Sequence, residues 1–230
     1  MAYRTPAAPR PPILPIYDST EYRLHWFGEP GHSGGPWTSE QALASTVREL
    51  VVHWTEENTP YGLTIPQYQA ILAKEAYYHA FERNWNDDGP FLAGDGLMYH
   101  YAISPEGHLF QTTAETKRTW NAYLSNAWNL AVVIMAGHKD PISLKAQRTL
   151  VAFLNWMTTA RADLPGVTAT PQLVAVLSAA GPVKPIQTFG VTTHDESLIR
   201  QGRPPKGCCG PYAATVKAWR AQFEGNEVGK

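Results

Sequence analysis

The sequence predicts an α/β domain built on a mixed central sheet of about five strands flanked by helices. Three observations point there. Short apolar runs, at residues 48–54, 130–136 and the segment ending at His194, are separated by longer stretches whose apolar residues recur every three or four positions. The run 130–136 is apolar throughout, as a strand covered on both faces should be. With 230 residues, 43% of them hydrophobic and 11% aromatic, the chain is long enough for one sizeable core.

Taken in order, residues 1–45 form an arm rich in proline, glycine and aromatics, among them Trp26, Phe27, Pro30, Gly34, Gly35 and Pro36. Disordered segments are poor in aromatics, so this arm is expected to pack on the main domain, residues 46–230. Ser39 is placed to cap a short helix reaching Ser45. A strand over 48–54 follows. Thr64 caps the next helix and Pro66 suits its first turn, with Ile65, Tyr68, Leu72 and Ala76 continuing at helical spacing to about Arg83. Residues 86–90 read as a solvated turn. Two strands, 98–104 and 108–112, are joined by Ser104-Pro105-Glu106-Gly107; this places Tyr99 and Tyr101 on one face and His100, a structural residue, on the other.

Beyond the strand 130–136, Ser143 caps a long helix to about Ala162. A shorter helical run is expected over 171–180, ahead of the strand that ends at His194. The segment 194–208 contains Gly202, Pro204 and Pro205 and reads as a loop able to fold back toward that strand end. The last helix starts near Pro211, with Tyr212, Val216, Trp219 and Phe223 on one face.

The chemistry is carried by a scattered trio. His53 ends one strand pattern in Val52-His53-Trp54-Thr55, His194 ends another, and Cys208 follows in Lys206-Gly207-Cys208-Cys209-Gly210-Pro211. One histidine after an apolar strand is commonly a packing residue; two imidazoles and a thiol together are a ligand set for Zn²⁺. Three protein ligands leave a fourth position open, the mark of a catalytic rather than a structural zinc. The two cysteines are adjacent, so they form no disulfide framework. A net charge of −1 gives no reason to expect nucleic acid or an anionic membrane as partner.

These segments, with Gly96-Leu97-Met98-Tyr99-His100-Tyr101-Ala102-Ile103, Glu106-Gly107-His108-Leu109-Phe110 and the run from Asn129 to Gly137, stand in the order of the type 2 N-acetylmuramoyl-L-alanine amidases. The resemblance spans roughly residues 48–223. That family includes phage endolysins and peptidoglycan recognition proteins, and the resemblance implies their fold. It implies His53, His194 and Cys208 as the zinc ligands, with Cys208 preferred over Cys209 by its spacing to Gly210. It also implies Tyr99 beside the water that reacts and Lys206 as the stabiliser of the oxyanion. Where many members have Trp-His-Ala, this chain has Trp120-Asn121-Ala122; Trp120, Asn121 and Trp128 are candidates for the substrate groove.

The implied activity is zinc-dependent hydrolysis of the amide between N-acetylmuramic acid and L-alanine in peptidoglycan, by an endolysin of phage type. The alternatives are a non-catalytic peptidoglycan-binding module of the same fold and a zinc hydrolase acting on another amide. The first dozen residues carry prolines where a signal peptide needs an apolar helix former, and no run approaches the ~20 apolar residues of a membrane helix. Cytoplasmic synthesis follows as an expectation, the wall being reached through a separate holin-like lesion. Nothing in the sequence sets the oligomeric state, and a monomer is the default.

Overall fold

The computed structural model describes residues 16–18, 47–79, 97–113, 115, 119, 121–122, 126, 128–137, 140–141, 143–161, 164, 167–169, 172–176 and 184–224. In chain order the elements are β1 (Ile16–Asp18), β2 (Glu49–Glu56), α1 (Ile65–Tyr77), β3 (Tyr101–Ile103), β4 (Leu109–Gln111), β5 (Asn129–Gly137), α2 (Leu144–Asn155), a π-helical turn (Trp156–Ala160), β6 (Gln172–Val176), β7 (Lys184–Thr193), α3 (His194–Arg200) and α4 (Tyr212–Glu224). The helix expected over 39–45 lies outside the described residues.

Among the described residues seven strands, rather than about five, form one sheet in the order β1-β4-β3-β5-β2-β7-β6. The central pairs β3·β5, β5·β2 and β2·β7 are parallel, while β3·β4 and β6·β7 are antiparallel. The two strands not foreseen lie at the sheet edges. β1 adds to β4 in parallel, Ile16 opposite Leu109, and the Tyr17 ring packs against His108 and Phe110. β6 stands where a helix was expected over 171–180. Its sequence, Gln172-Leu173-Val174-Ala175-Val176, is too short to declare a period, and antiparallel pairing with β7 decides it.

Alternation along β5 sends its side chains into two cores. Leu130, Val132 and Ile134 join Leu50, Val52, Trp54, Tyr101 and Ile103 under α2 and α4, where Phe153, Leu154, Val216 and Trp219 close the layer. Ala131, Val133 and Met135 pack on the other face with Ala102, Phe110 and the α1 residues Tyr68, Leu72 and Ala76. Each large side chain so buried contributes about 1.5–3 kcal/mol. Tyr99 and Tyr101 belong to opposite cores, against the expectation of a shared face. The reason is that β3 begins only at Tyr101: His100 sits at a bend, its N–H donating to the Ala131 carbonyl and its Nδ1 accepting the Ala131 N–H, and this breaks the alternation.

Local signals fix the helix starts. Gln67 Oε1 accepts both the Thr64 N–H and its hydroxyl at the head of α1. Ser143 Oγ accepts the Ala146 N–H at the head of α2 and donates to the Pro105 carbonyl. The far end of the long helix widens into the π turn, where the hydroxyls of Thr158 and Thr159 bond the carbonyls of Leu154 and Asn155.

Candidate metal centre and active site

The sheet places the first two candidate ligands. In the parallel pair β2·β7, Val52 lies opposite Thr193, and the residue that follows each is a histidine, His53 within β2 and His194 at the head of α3. The rings of His53 and His194 stand 4.5 Å apart between centroids. The segment expected to be a loop after His194 begins instead as helix α3. Thr193 Oγ1 accepts the Glu196 N–H and Glu196 Oε2 accepts the Thr193 N–H, so a capping box turns the chain sharply at the ligand. Thr193-x-x-Glu196 was a readable signal for this helix.

The loop after α3 supplies the third. Its anchor is Asp195, whose carboxylate accepts the backbone N–H groups of Lys206, Gly207 and Cys208 at 2.8, 3.0 and 3.3 Å. Gly207, Cys209 and Gly210 all take positive φ, folding the loop tightly around the thiol. At Gly210 a Cβ would come within 2.5 Å of the Trp54 indole, so only glycine fits. Cys208 Sγ lies 3.4 Å from His53 Nδ1, and the donor atoms of His53, His194 and Cys208 are all within 4.8 Å of one another. Cys208 rather than Cys209 joins the histidines; Cys209 is fully buried in the core.

The electrostatics suit a cation. Burial, helped by the neighbouring His194 and opposed by the Asn121 hydrogen bond, holds the His53 imidazole well below its usual range. Burial and then the Lys206 charge lower His194 to about 4, with Asp195 opposing. Both rings are therefore neutral at pH 7 and offer lone pairs. Burial pushes the Cys208 thiol up to about 12, outweighing the backbone hydrogen bonds that favour its thiolate, so a thiolate here needs a positive partner. His194 Nδ1 is buried with no hydrogen-bond partner among the described residues. An orphaned nitrogen, a second neutral imidazole and a thiol form a donor set that fits Zn²⁺.

Tyr99, just ahead of β3, packs its ring against that of His53, with centroids 5.1 Å apart and planes tilted by 54°. Burial, and then the charges of Cys208, Glu75 and Glu56, raise its phenol well above the usual value, so it remains a proton donor. Thr112 Oγ1 donates to its carbonyl and fixes the backbone there. Lys206 is exposed at the rim of the loop. Asn121 does not line a groove: it is 7% exposed and lies behind His53, with Oδ1 3.2 Å from His53 Nε2. Trp128 is not brought to the cluster either; its carbonyl accepts the Arg48 N–H at the end of β2 remote from His53. Trp120 lies outside the described residues. Sequence reasoning missed Asp195, whose role depends on an approach between residues 11 positions apart.

The model of the N-acetylmuramoyl-L-alanine amidase family matches residues 43–203, ending ahead of Lys206 and Cys208. Among solved structures, the fold is similar to drosophila peptidoglycan recognition protein SD, at 12% identity and TM-score 0.55 over 92% of this chain and 94% of that one. It is likewise similar to Drosophila PGRP-LB, at 14% identity and TM-score 0.53 over 90% and 94%. The N-acetylmuramoyl-L-alanine amidase LysC from Clostridium intestinale aligns at 14% identity and TM-score 0.46, over 83% of this chain and 95% of that one. No curated protein matches the sequence. A family match over well more than half of the chain, spanning both histidines, shows that the chain belongs to the N-acetylmuramoyl-L-alanine amidase family.

Proposed function

We propose that the protein hydrolyses the amide between N-acetylmuramic acid and L-alanine of peptidoglycan, using Zn²⁺ held by His53, His194 and Cys208. The observation that carries this reading is the convergence of three buried or half-buried donor atoms within 4.8 Å, two of them neutral imidazole nitrogens. Zinc bound there would supply Lewis acidity for the scissile carbonyl and lower the pKa of the attacking water toward ~7.

The chain's own residues do the rest. Tyr99, kept protonated, has an O–H with which to orient the water and return a proton toward the leaving amine. Lys206 places a positive charge at the open side of the cluster, where negative charge builds on the carbonyl oxygen as water adds to its carbon. The C–N bond then breaks, and the departing L-alanine nitrogen leaves as an amine. By resemblance, Tyr99 stands where the phage branch of the family has a tyrosine beside the reacting water, which supports an endolysin-type role. A complete ligand set favours hydrolysis over binding alone.

Digestion of purified peptidoglycan tests the reading. New free L-alanine amines, lost on chelation together with a lower melting temperature, are expected. New reducing sugar ends, or binding without cleavage in the zinc-loaded protein, would overturn it.

A further inference from the structure

Asn121 occupies the position where the family pattern often has histidine, and its surroundings give it a definite task. It is buried, and both ends of its amide are engaged. Nδ2 donates to Thr119 Oγ1 at 2.7 Å and to Asn129 Oδ1 at 3.0 Å. The Thr119 hydroxyl is in turn 3.5 Å from His100 Nδ1, the nitrogen that accepts the Ala131 N–H. With its NH₂ group so occupied, Asn121 can only turn Oδ1 toward His53, where it meets Nε2 at 3.2 Å.

A carbonyl oxygen accepts and does not donate, so the proton of the neutral His53 ring must sit on Nε2. The lone pair is then left on Nδ1, the nitrogen that faces Cys208 Sγ at 3.4 Å. From this geometry we infer that Asn121 is a positioning residue: it selects the Nε2–H tautomer of His53 and aims Nδ1 into the metal centre, while Asn129 and Thr119 hold Asn121 itself in place. The outer partner of a ligating histidine commonly governs metal affinity by about 10–100-fold.

Two features make the arrangement independent of ordinary packing. Asn121 and His53 lie 68 positions apart in sequence, and the amide oxygen bridges them. Asn129 opens β5, so the sheet fixes the donor side of the network in the same register that places His53 on β2. The inference rests on the reading of His53 as a ligand, but the tautomer it specifies exists in the metal-free protein.

The test compares the full chain with its Asn121→Ala and Asn121→Asp variants. In the metal-free proteins, nitrogen NMR of the His53 ring should show Nε2–H in the parent and in Asn121→Asp, which keeps an acceptor oxygen, and a shift toward Nδ1–H in Asn121→Ala. Zinc affinity, by chelator competition, should fall about 10–100-fold in Asn121→Ala and be largely restored in Asn121→Asp. An unchanged tautomer in Asn121→Ala, or equal zinc loss in both folded variants, would overturn the inference. If Asn121→Ala does not fold, the parent spectrum and Asn121→Asp decide: a parent ring carrying its proton on Nδ1 refutes it. Failure of the parent to bind zinc at all would refute the proposed function, while the tautomer measurement would still judge the role of Asn121.

Discussion

The Asp195 carboxylate accepts the Cys208 N–H 3.3 Å away, and through it the first turn of α3 grips the loop that delivers the third ligand. His194 and Cys208 are thus tied together by the residue immediately after the histidine.

Replacing Asp195 by alanine removes the acceptor for three consecutive backbone N–H groups. The loop is expected to lose about 1–3 kcal/mol of stability, and zinc affinity should fall while the sheet remains folded. Calorimetry and chelator competition check both. Parent-like zinc affinity would show that the loop holds its shape without Asp195.

The adjacent cysteines should separate cleanly. Cys208→Ser is expected to abolish stoichiometric zinc, measured by elemental analysis, and activity with it. Cys209 is fully buried in the core, so Cys209→Ser should keep its zinc and instead lower stability by about 1–3 kcal/mol, the cost of burying a hydroxyl. The reverse pattern would reassign the ligand.

Tyr99→Phe keeps the ring against His53 and removes only the hydroxyl. Lys206→Ala removes an exposed charge. Each should lower kcat by about 10²–10³-fold with zinc content intact. Turnover close to the parent's in either variant removes that residue from the chemistry.

Stability at acid pH should depend on Glu196. Burial raises its carboxyl pKa, but the Arg220 hydrogen bonds, the Thr193 N–H and the neighbouring charges outweigh it, and the net shift is downward from 4.5. The folded state therefore binds this proton less readily than the unfolded state. The resulting stability is fully present above pH 4.5 and is lost as the pH falls through the lower folded value. Glu196→Gln should cost about 1 kcal/mol at pH 7, with the difference from the parent closing as the pH falls through the lowered folded-state pKa. A difference independent of pH would mean that packing, not charge, is lost.

Much of this was legible because the signals were local. The all-apolar run through Leu130 and Ile134 announced a strand covered on both faces, and Thr64 and Ser143 announced helix starts. β6 was misread because a five-residue apolar run carries no period of its own; its partner strand decides its state. The pairing of Tyr99 with Tyr101 failed for a related reason, since a bend at His100 was set by contacts with β5. The ligand types could be read from residue chemistry, whereas Asn121 and Asp195 act through contacts that only the folded chain creates.

The two histidines and the cysteine differ in how they are held. His53 lies within β2 and His194 directly follows β7 at the head of α3, so strand register sets both, while Cys208 sits in a loop whose backbone N–H groups are held by the Asp195 carboxylate. Ahead of its two buried cysteines this loop is exposed from Gly202 to Gly207, and exposed segments open more often than the sheets they border. Were a metal ion held there, opening of this one segment would withdraw a single donor while both imidazoles and the sheet stayed in place. Exchange of an ion at such a centre would then be governed by the loop, and Asp195, whose three accepted N–H groups shape it, is the residue through which the loop would be loosened while the sheet stays folded.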